Sequence, residues 1–286
     1  MFVIIGALVV IVSVLGGYMA LGGKVMVLWQ PFEFVEIIGA AVGALILGNS
    51  KEVLGGVVGG LSHLIKGSKY GKADYLELLS LMYAVFKLAK TKGMLALEQH
   101  VEKPDESALF QQYPKFYANK HAVVFFCDYL RMLTLGTDNP HELEALIDEE
   151  LETQHHEHHT VAHAVQNMAD AMPALGIVAA VLGVIKTMGS ITEPPEVLGH
   201  LIGGALVGTF AGVFMSYGFI GPAATAMKAI FDAEHKYLLC IKVGLLAHLQ
   251  GYAPAVSVEF ARKALMTHLR PTFYEVELAV QSAPAA

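Results

Sequence analysis

Residues 173–222 hold two apolar runs joined by a short polar link, and neither run contains an Asp or a Glu. The runs are PALGIVAAVLGVIKTMGSI at 173–191 and LIGGALVGTFAGVFMSYGFIG at 201–221. At about 1.5 Å per helical residue, each can cross a hydrocarbon layer roughly 30 Å thick. The link, TEPPEVLGH, carries two glutamates that need water, and its Pro194-Pro195 pair cannot continue a helix. Such a stretch is expected to form a helical hairpin within a membrane. It is rich in small residues and offers few hydroxyls, which leaves it little chemistry of its own.

The rest of the chain agrees with a membrane location. It has 286 residues, 55% of them hydrophobic and only 16% charged, where a soluble domain carries about 25% charge. A net charge of −7 gives no reason to expect a nucleic-acid partner, whereas membrane lipid is an expected one. The N-terminal string MFVIIGALVVIVSVLGGYMALGG lacks a basic start and a small-residue cleavage site, and reads as a retained first span. A second candidate, PFEFVEIIGAAVGALILGN at 31–49, is weaker because Glu33 and Glu36 occupy its first turns. Packing against other helices would let it span. Cys127 and Cys240 lie far apart and read as two reduced, unlinked thiols.

Basic residues orient the chain. Of 19 Lys and Arg, 11 fall in residues 50–171 and 6 after residue 222, and Lys24 alone belongs to a loop between spans. The positive-inside rule then puts both basic segments, and both termini, in the cytoplasm. The expected fold is an all-α integral membrane protein with four transmembrane helices. Spans 1 and 2 occupy 1–49, a large helical cytoplasmic domain 50–171, spans 3 and 4 172–222, and a cytoplasmic extension and tail 223–286.

Within 50–171, ADYLELLSLMYAVFKLAK sets Tyr75, Leu78, Leu79, Met82, Tyr83 and Phe86 on one helical face. Gly93 interrupts it, MLALEQHVE resumes, Pro104 stops it, and a further core helix follows the Pro114 break. Asn139 and Pro140 mark an N-cap and first turn. The segment after Pro222 reads as a long helix, and the tail from about Gly251 as partly irregular.

Several constellations invite a functional reading. Small residues recur at four-residue spacing at Gly39 and Gly43, and again at Gly204, Gly208 and Gly212, which lets helices approach closely within the chain or against a partner. Thr187, Ser190, Thr209, Ser216 and Tyr217 are the hydroxyls of the last two spans. Thr209 is near mid-span, and its simplest fate is a bond to the carbonyl one turn back. His155, His159 and His163 share a helical face, but the zinc-protease pattern fails because Thr160 stands where its second histidine belongs. A solvated polar stretch with no metal is the expected reading. The acidic run Glu142, Glu144, Asp148, Glu149, Glu150 and Glu152 reads first as a solvated face. Lying within about 20 residues of a span, it could also be a docking surface or an acidic entrance. Neither a phosphate loop nor a GxSxG motif appears, and Gly67-Ser68-Lys69 lacks the frame of one. No enzyme activity and no cofactor are expected.

Local strings along the chain are GGY at 16–18, SKY at 68–70, GML…LE at 93–98 and EALIDEE at 144–150. They continue with PALGIVAAVLGV at 173–184, VGTFAGVFMSYGFIGP at 207–222 and GYAP…VEFARK at 251–263. With these strings, the plan of two spans, a long block, two spans and a tail resembles the MotA family of bacterial flagellar stator subunits over essentially the whole chain.

The resemblance implies a ring of this chain, a pentamer around a MotB dimer, in the bacterial inner membrane. The MotB-like partner's single span supplies the ion-binding aspartate. Ion flow would turn the ring against the flagellar rotor's switch-complex protein. It also implies roles by position. Pro173 and Pro222 flank the hairpin and serve its conformational step. Thr209 faces the ion path with Tyr217 along the same span, and Ala180 stands where sodium-driven relatives carry threonine, which favours protons. Lys90 and Glu98 match the charged pair that meets the rotor. Lysine replaces the family's usual arginine at 90, so the bidentate fork is lost. The His155–His163 run departs from the family pattern. The alternatives are an energising ring like TolQ or ExbB, which has three spans, and a non-conducting membrane scaffold.

Overall fold

The computed structural model describes residues 2–67 and 70–282. Ser68 and Lys69 of the SKY string, and the last four residues, lie outside them. Every regular element among the described residues is helical. Four helical segments are long and apolar enough to cross a membrane: Val3–Ala20, Val25–Gly48, Pro140–Met188 and Pro195–Leu249. Two of these lie before residue 50, as the four-span plan requires. The chain divides into two compact units, Met1–Gly67 with His156–Phe231, and Ser68–His155 with Asp232–Ala286.

The first unit carries the apolar spans. Side chains such as Leu8, Val12, Ile177, Ile185 and Leu206 are exposed along them, an apolar surface suited to lipid or to other helices. Its cores are small. In one, Ile37 and Ala41 pack with Met172, Ala179 and Ala211. In the other, Val57 and Leu64 meet Val161, Val165, Met227 and Phe231.

Helix Pro140–Met188 begins where Asn139 caps it, its side-chain oxygen accepting the His141 N–H at 3.1 Å. The helix continues through Pro173, so the residues expected as the third span are part of a 49-residue helix. The link is also shorter than expected. Pro195 occupies the first turn of the next helix, Pro195–Met215, where its missing N–H costs nothing. A π segment, Ser216–Ile220, joins that helix to Gly221–Leu249.

In the second unit, helix Lys72–Lys92 is buried on nearly every side. Five of the six residues expected on its inner face are buried, and Tyr83 is half-buried. Ser80, Leu81, Ala84, Val85, Leu88 and Ala89 are buried as well, which marks a central helix of a bundle. It ends at Gly93, whose φ of 85° favours glycine. Glu77 on this helix caps the N-terminus of Pro114–Ala118 by accepting the N–H groups of Lys115 and Phe116 at 2.6 and 3.0 Å. Cys127 and Cys240 are buried free thiols, and burial pushes the Cys127 thiol up to about 12.

The tail is more regular than its prolines and low-complexity end suggest. Helices Pro254–Lys263 and Phe273–Ser282 both pack on Lys72–Lys92. Arg262 holds this region by pairing with Glu259 and donating to the Pro271 carbonyl at 2.8 Å.

Candidate functional site

The hairpin is held together by backbone contact at glycines. A Cβ on Gly212 would lie 2.5 Å from the Met172 carbonyl oxygen, and one on Gly176 would lie 2.7 Å from the Gly208 oxygen. A Cβ on Gly183 would meet that of Ala205 at 2.6 Å. Gly208 and Gly212 of the small-residue ridge therefore serve packing within the chain. Gly204 faces Gln30 instead, and Gly39 and Gly43 face open space.

The same contacts set Ala180 and Thr209 at one level. A Cβ on Gly208, the neighbour of Thr209, would lie 3.1 Å from the Ala180 nitrogen. The Thr209 hydroxyl has no hydrogen-bond partner among the described residues, contrary to the expected bond one turn back. Thr187 does make such a bond, to the Gly183 carbonyl at 2.8 Å. Tyr217 is not brought to this level. It lies eight residues on, about 12 Å by helical rise, and is 70% exposed.

A carboxylate that the hairpin's own sequence lacks reaches it from the second span. Glu33 Oε2 is buried without a hydrogen-bond partner among the described residues. It would lie 2.7 Å from a Cβ on Gly208, and Glu33 Oε1 would lie 3.4 Å from one on Gly183. The sequence signal was present, a glutamate in the first turn of a span, but it read only as a weakness of that span.

Pro173 and Pro222 each sit inside helical backbone. Pro222 is exposed and follows directly on the π segment. Lys90 and Glu98 lie on either side of the Gly93 turn, both exposed, and neither enters an ion pair among the described residues. Glu98 lines a shallow surface depression with Leu95, Gln99, Glu102 and Lys103. Behind Lys90, His248 stacks on Phe86 at 4.5 Å, and burial together with the Lys90 charge holds its imidazole below the usual range.

The histidine run has partners of its own. His158 stacks on Phe231 at 4.3 Å, His155 lies 4.9 Å from the His235 ring, and His163 meets the Asn167 amide at 3.1 Å. Among the described residues, no three groups capable of holding a metal ion come together. The acidic run is only partly a solvated face. Asp148 and Glu144 pair with Lys242, and Glu150 accepts from the Tyr129 hydroxyl.

Residues 4–93 match the family described as Motility protein A N-terminal, and residues 118–238 match the MotA/TolQ/ExbB proton channel family. Motility protein A of Escherichia coli K12 is 43% identical over 97% of this chain and 94% of its own length. The chemotaxis protein LafT of Vibrio parahaemolyticus is 35% identical over 96% of each chain. Among solved structures, the flagellar MotAB stator complex of Bacillus subtilis aligns with a TM-score of 0.72 at 25% identity, covering 96% of this chain and 98% of that one. The C. jejuni MotAB structure, at 19% identity, has a TM-score of 0.77 over 93% of this chain and 95% of that one, a likeness of fold.

Proposed function

The chain belongs to the MotA/TolQ/ExbB proton channel family as a flagellar stator subunit of the motility protein A kind, and we propose that protons are the ions it passes. The chain is membrane-embedded, and its partner is a MotB-like subunit whose single span brings the titrating aspartate to the Ala180–Thr209 level. The observation that carries this reading is the Thr209 hydroxyl, which shares a level with Ala180 and has no partner among the described residues. A hydroxyl in that setting is available to an ion or to a neighbouring chain's carboxylate. Ala180 adds no oxygen ligand for sodium, which favours the proton. Glu33 adds acidity on the same side of the hairpin.

The ring is a pentamer around a dimer of the partner, in the inner membrane with both termini cytoplasmic. Residues 50–171 form the rotor-contact domain, and residues 223–286 the extension behind it. Lys90 and Glu98, exposed and unpaired among the described residues, meet the rotor's switch-complex protein. Pro173 and Pro222 bound the part of the hairpin that moves. Two candidate spans before residue 50 favour this reading over a three-span envelope-energising ring.

The test is Thr209→Val, which keeps the side-chain shape and removes only the hydroxyl. The variant is expected to assemble with its partner in normal amount and to lose most motor speed. Normal swimming would remove Thr209 from the ion path. Charge reversal at Lys90 and Glu98, alone and with matched reversals on the rotor, tests the contact. If every combination swims normally, the electrostatic contact has no role.

A further inference from the structure

Pro173 interrupts the backbone ladder of the Pro140–Met188 helix. A proline has no N–H for the carbonyl four residues back, which here is that of Ala169. Within a membrane protein such a carbonyl must find another donor. The Ser216 hydroxyl supplies it, donating to the Ala169 oxygen at 2.7 Å from 47 residues further along the chain. Ser216 is 1% exposed, so water does not compete for the bond.

The same serine begins the π segment Ser216–Ile220. Its own carbonyl accepts the Gly221 N–H, a step of five residues in place of four. Pro222 follows at once, and in a regular helix its ring would crowd the carbonyl of Gly218. The wider turn relieves that crowding. One residue thus touches both proline breaks, the first through its side chain and the second through its backbone.

We propose that Ser216 is a positioning residue that couples the break at Pro173 to the wide turn before Pro222, and that its bond to the Ala169 carbonyl latches the hairpin in the state seen here. The proposal rests on the reading that the two prolines bound the moving part. Release has a ready alternative, because a helical serine can return its hydroxyl to the carbonyl four residues back, here that of Gly212. The serine hydroxyl then keeps an acceptor when the latch opens, and the Ala169 carbonyl has to take a donor from whatever the moved hairpin brings to it.

The experiment is amide hydrogen exchange on the full chain in complex with its single-span partner, for the wild type, Ser216→Ala, Ser216→Thr, Pro173→Ala and the Ser216→Ala, Pro173→Ala pair. Losing the latch should speed exchange roughly fivefold in both 169–177 and 216–223, the size expected for one hydrogen bond. Threonine, which keeps the hydroxyl, should restore the wild-type rate.

The decisive arm is the double variant. Pro173→Ala returns an N–H to the Ala169 carbonyl, so Ser216→Ala should change nothing further in that background. An equal effect with and without Pro173, or no effect in the wild-type background, would overturn the proposal. Should the alanine variant fail to assemble, Ser216→Cys keeps the volume and weakens the donor. Wild-type exchange in that variant overturns the proposal as well. In a motile host, Ser216→Ala should swim more slowly than Ser216→Thr at equal amounts of complex, and equal speeds would count against the latch. Exchange is read without motility, so a failure of the proline reading is seen separately, as normal swimming of the Pro173→Ala, Pro222→Ala variant.

Discussion

Gly212 stands against Gly176 with no room for a methyl group between them. A Cβ on Gly212 would lie 2.9 Å from the Gly176 Cα as well as 2.5 Å from the Met172 carbonyl oxygen. Neither neighbour is a flexible side-chain end, so the helices would have to part. Gly212→Ala is expected to cost about 2 kcal/mol, the usual scale of overpacking. Gly43→Ala, where a Cβ would meet nothing within 4 Å, should leave the chain's own fold unchanged. Thermal unfolding of the purified complex compares the two. Equal stability would show that the hairpin spreads at little cost.

Glu33 gives a second expectation, this time about ion passage. Its carboxylate sits where Gly183 and Gly208 leave space for it. Glu33→Gln keeps the size and removes the charge, and should assemble normally while motor speed falls. Gly208→Ala would push a methyl group to 2.7 Å from Oε2, and should slow the motor by displacing the carboxylate. Both variants swimming at wild-type speed would remove Glu33 from the ion path.

Much of this was legible in the chain, and the reasons differ by element. The spans announced themselves because lipid demands long apolar runs and satisfied backbones. Asn139 and Pro140 gave the start of the long helix, because capping is a local interaction. The order of the tail was hidden. Pro254 and Pro271 read as breaks, yet Pro254 opens a helix and the Pro271 carbonyl is held by Arg262. Glu33 showed as an acid in the first turn of a span, but its contact with Gly208, like that of Ser216 with Ala169, was hidden, because both depend on which faces of packed spans meet. Periodicity says that Thr209 is on a face. Only the packing says that its neighbour Gly208 lies against Ala180.

Lys242 joins the second unit's core to its acidic run, and its two partners are unequal. The ammonium donates to Asp148 at 2.5 Å and lies 3.9 Å from Glu144, while its side chain is only 9% exposed. Removing Asp148 leaves a nearly buried charge with one distant partner. Asp148→Ala is therefore expected to cost about 1–2 kcal/mol, with Asp148 itself half-exposed and screened. Lys242→Met removes the charge and fills the same space, so it should cost less. Chemical denaturation ranks the two. A larger loss from Lys242→Met would mean that the pair itself outweighs the desolvation of the lysine.

The last expectation concerns pH and the terminal helix Phe273–Ser282. Thr272 and Glu275 form a reciprocal cap, with the Thr272 N–H donating to the Glu275 carboxylate at 2.6 Å and the Glu275 N–H to the threonine hydroxyl at 3.3 Å. Lys72 adds an ion pair to the same carboxylate at 2.7 Å. Lys72 and these bonds hold the Glu275 carboxyl down at about 2, against an ordinary 4.5. A depressed acid stabilises the fold above its unfolded value and loses that contribution as pH falls towards the folded one. Attachment of the helix should therefore weaken progressively below about pH 4.5, the ordinary value of the carboxyl. Glu275→Gln should remove that acid-dependent step while leaving a weaker cap. Hydrogen exchange of residues 273–282 between pH 6 and pH 3, corrected for intrinsic rates, measures it, with roughly equal protection across that range arguing against the cap.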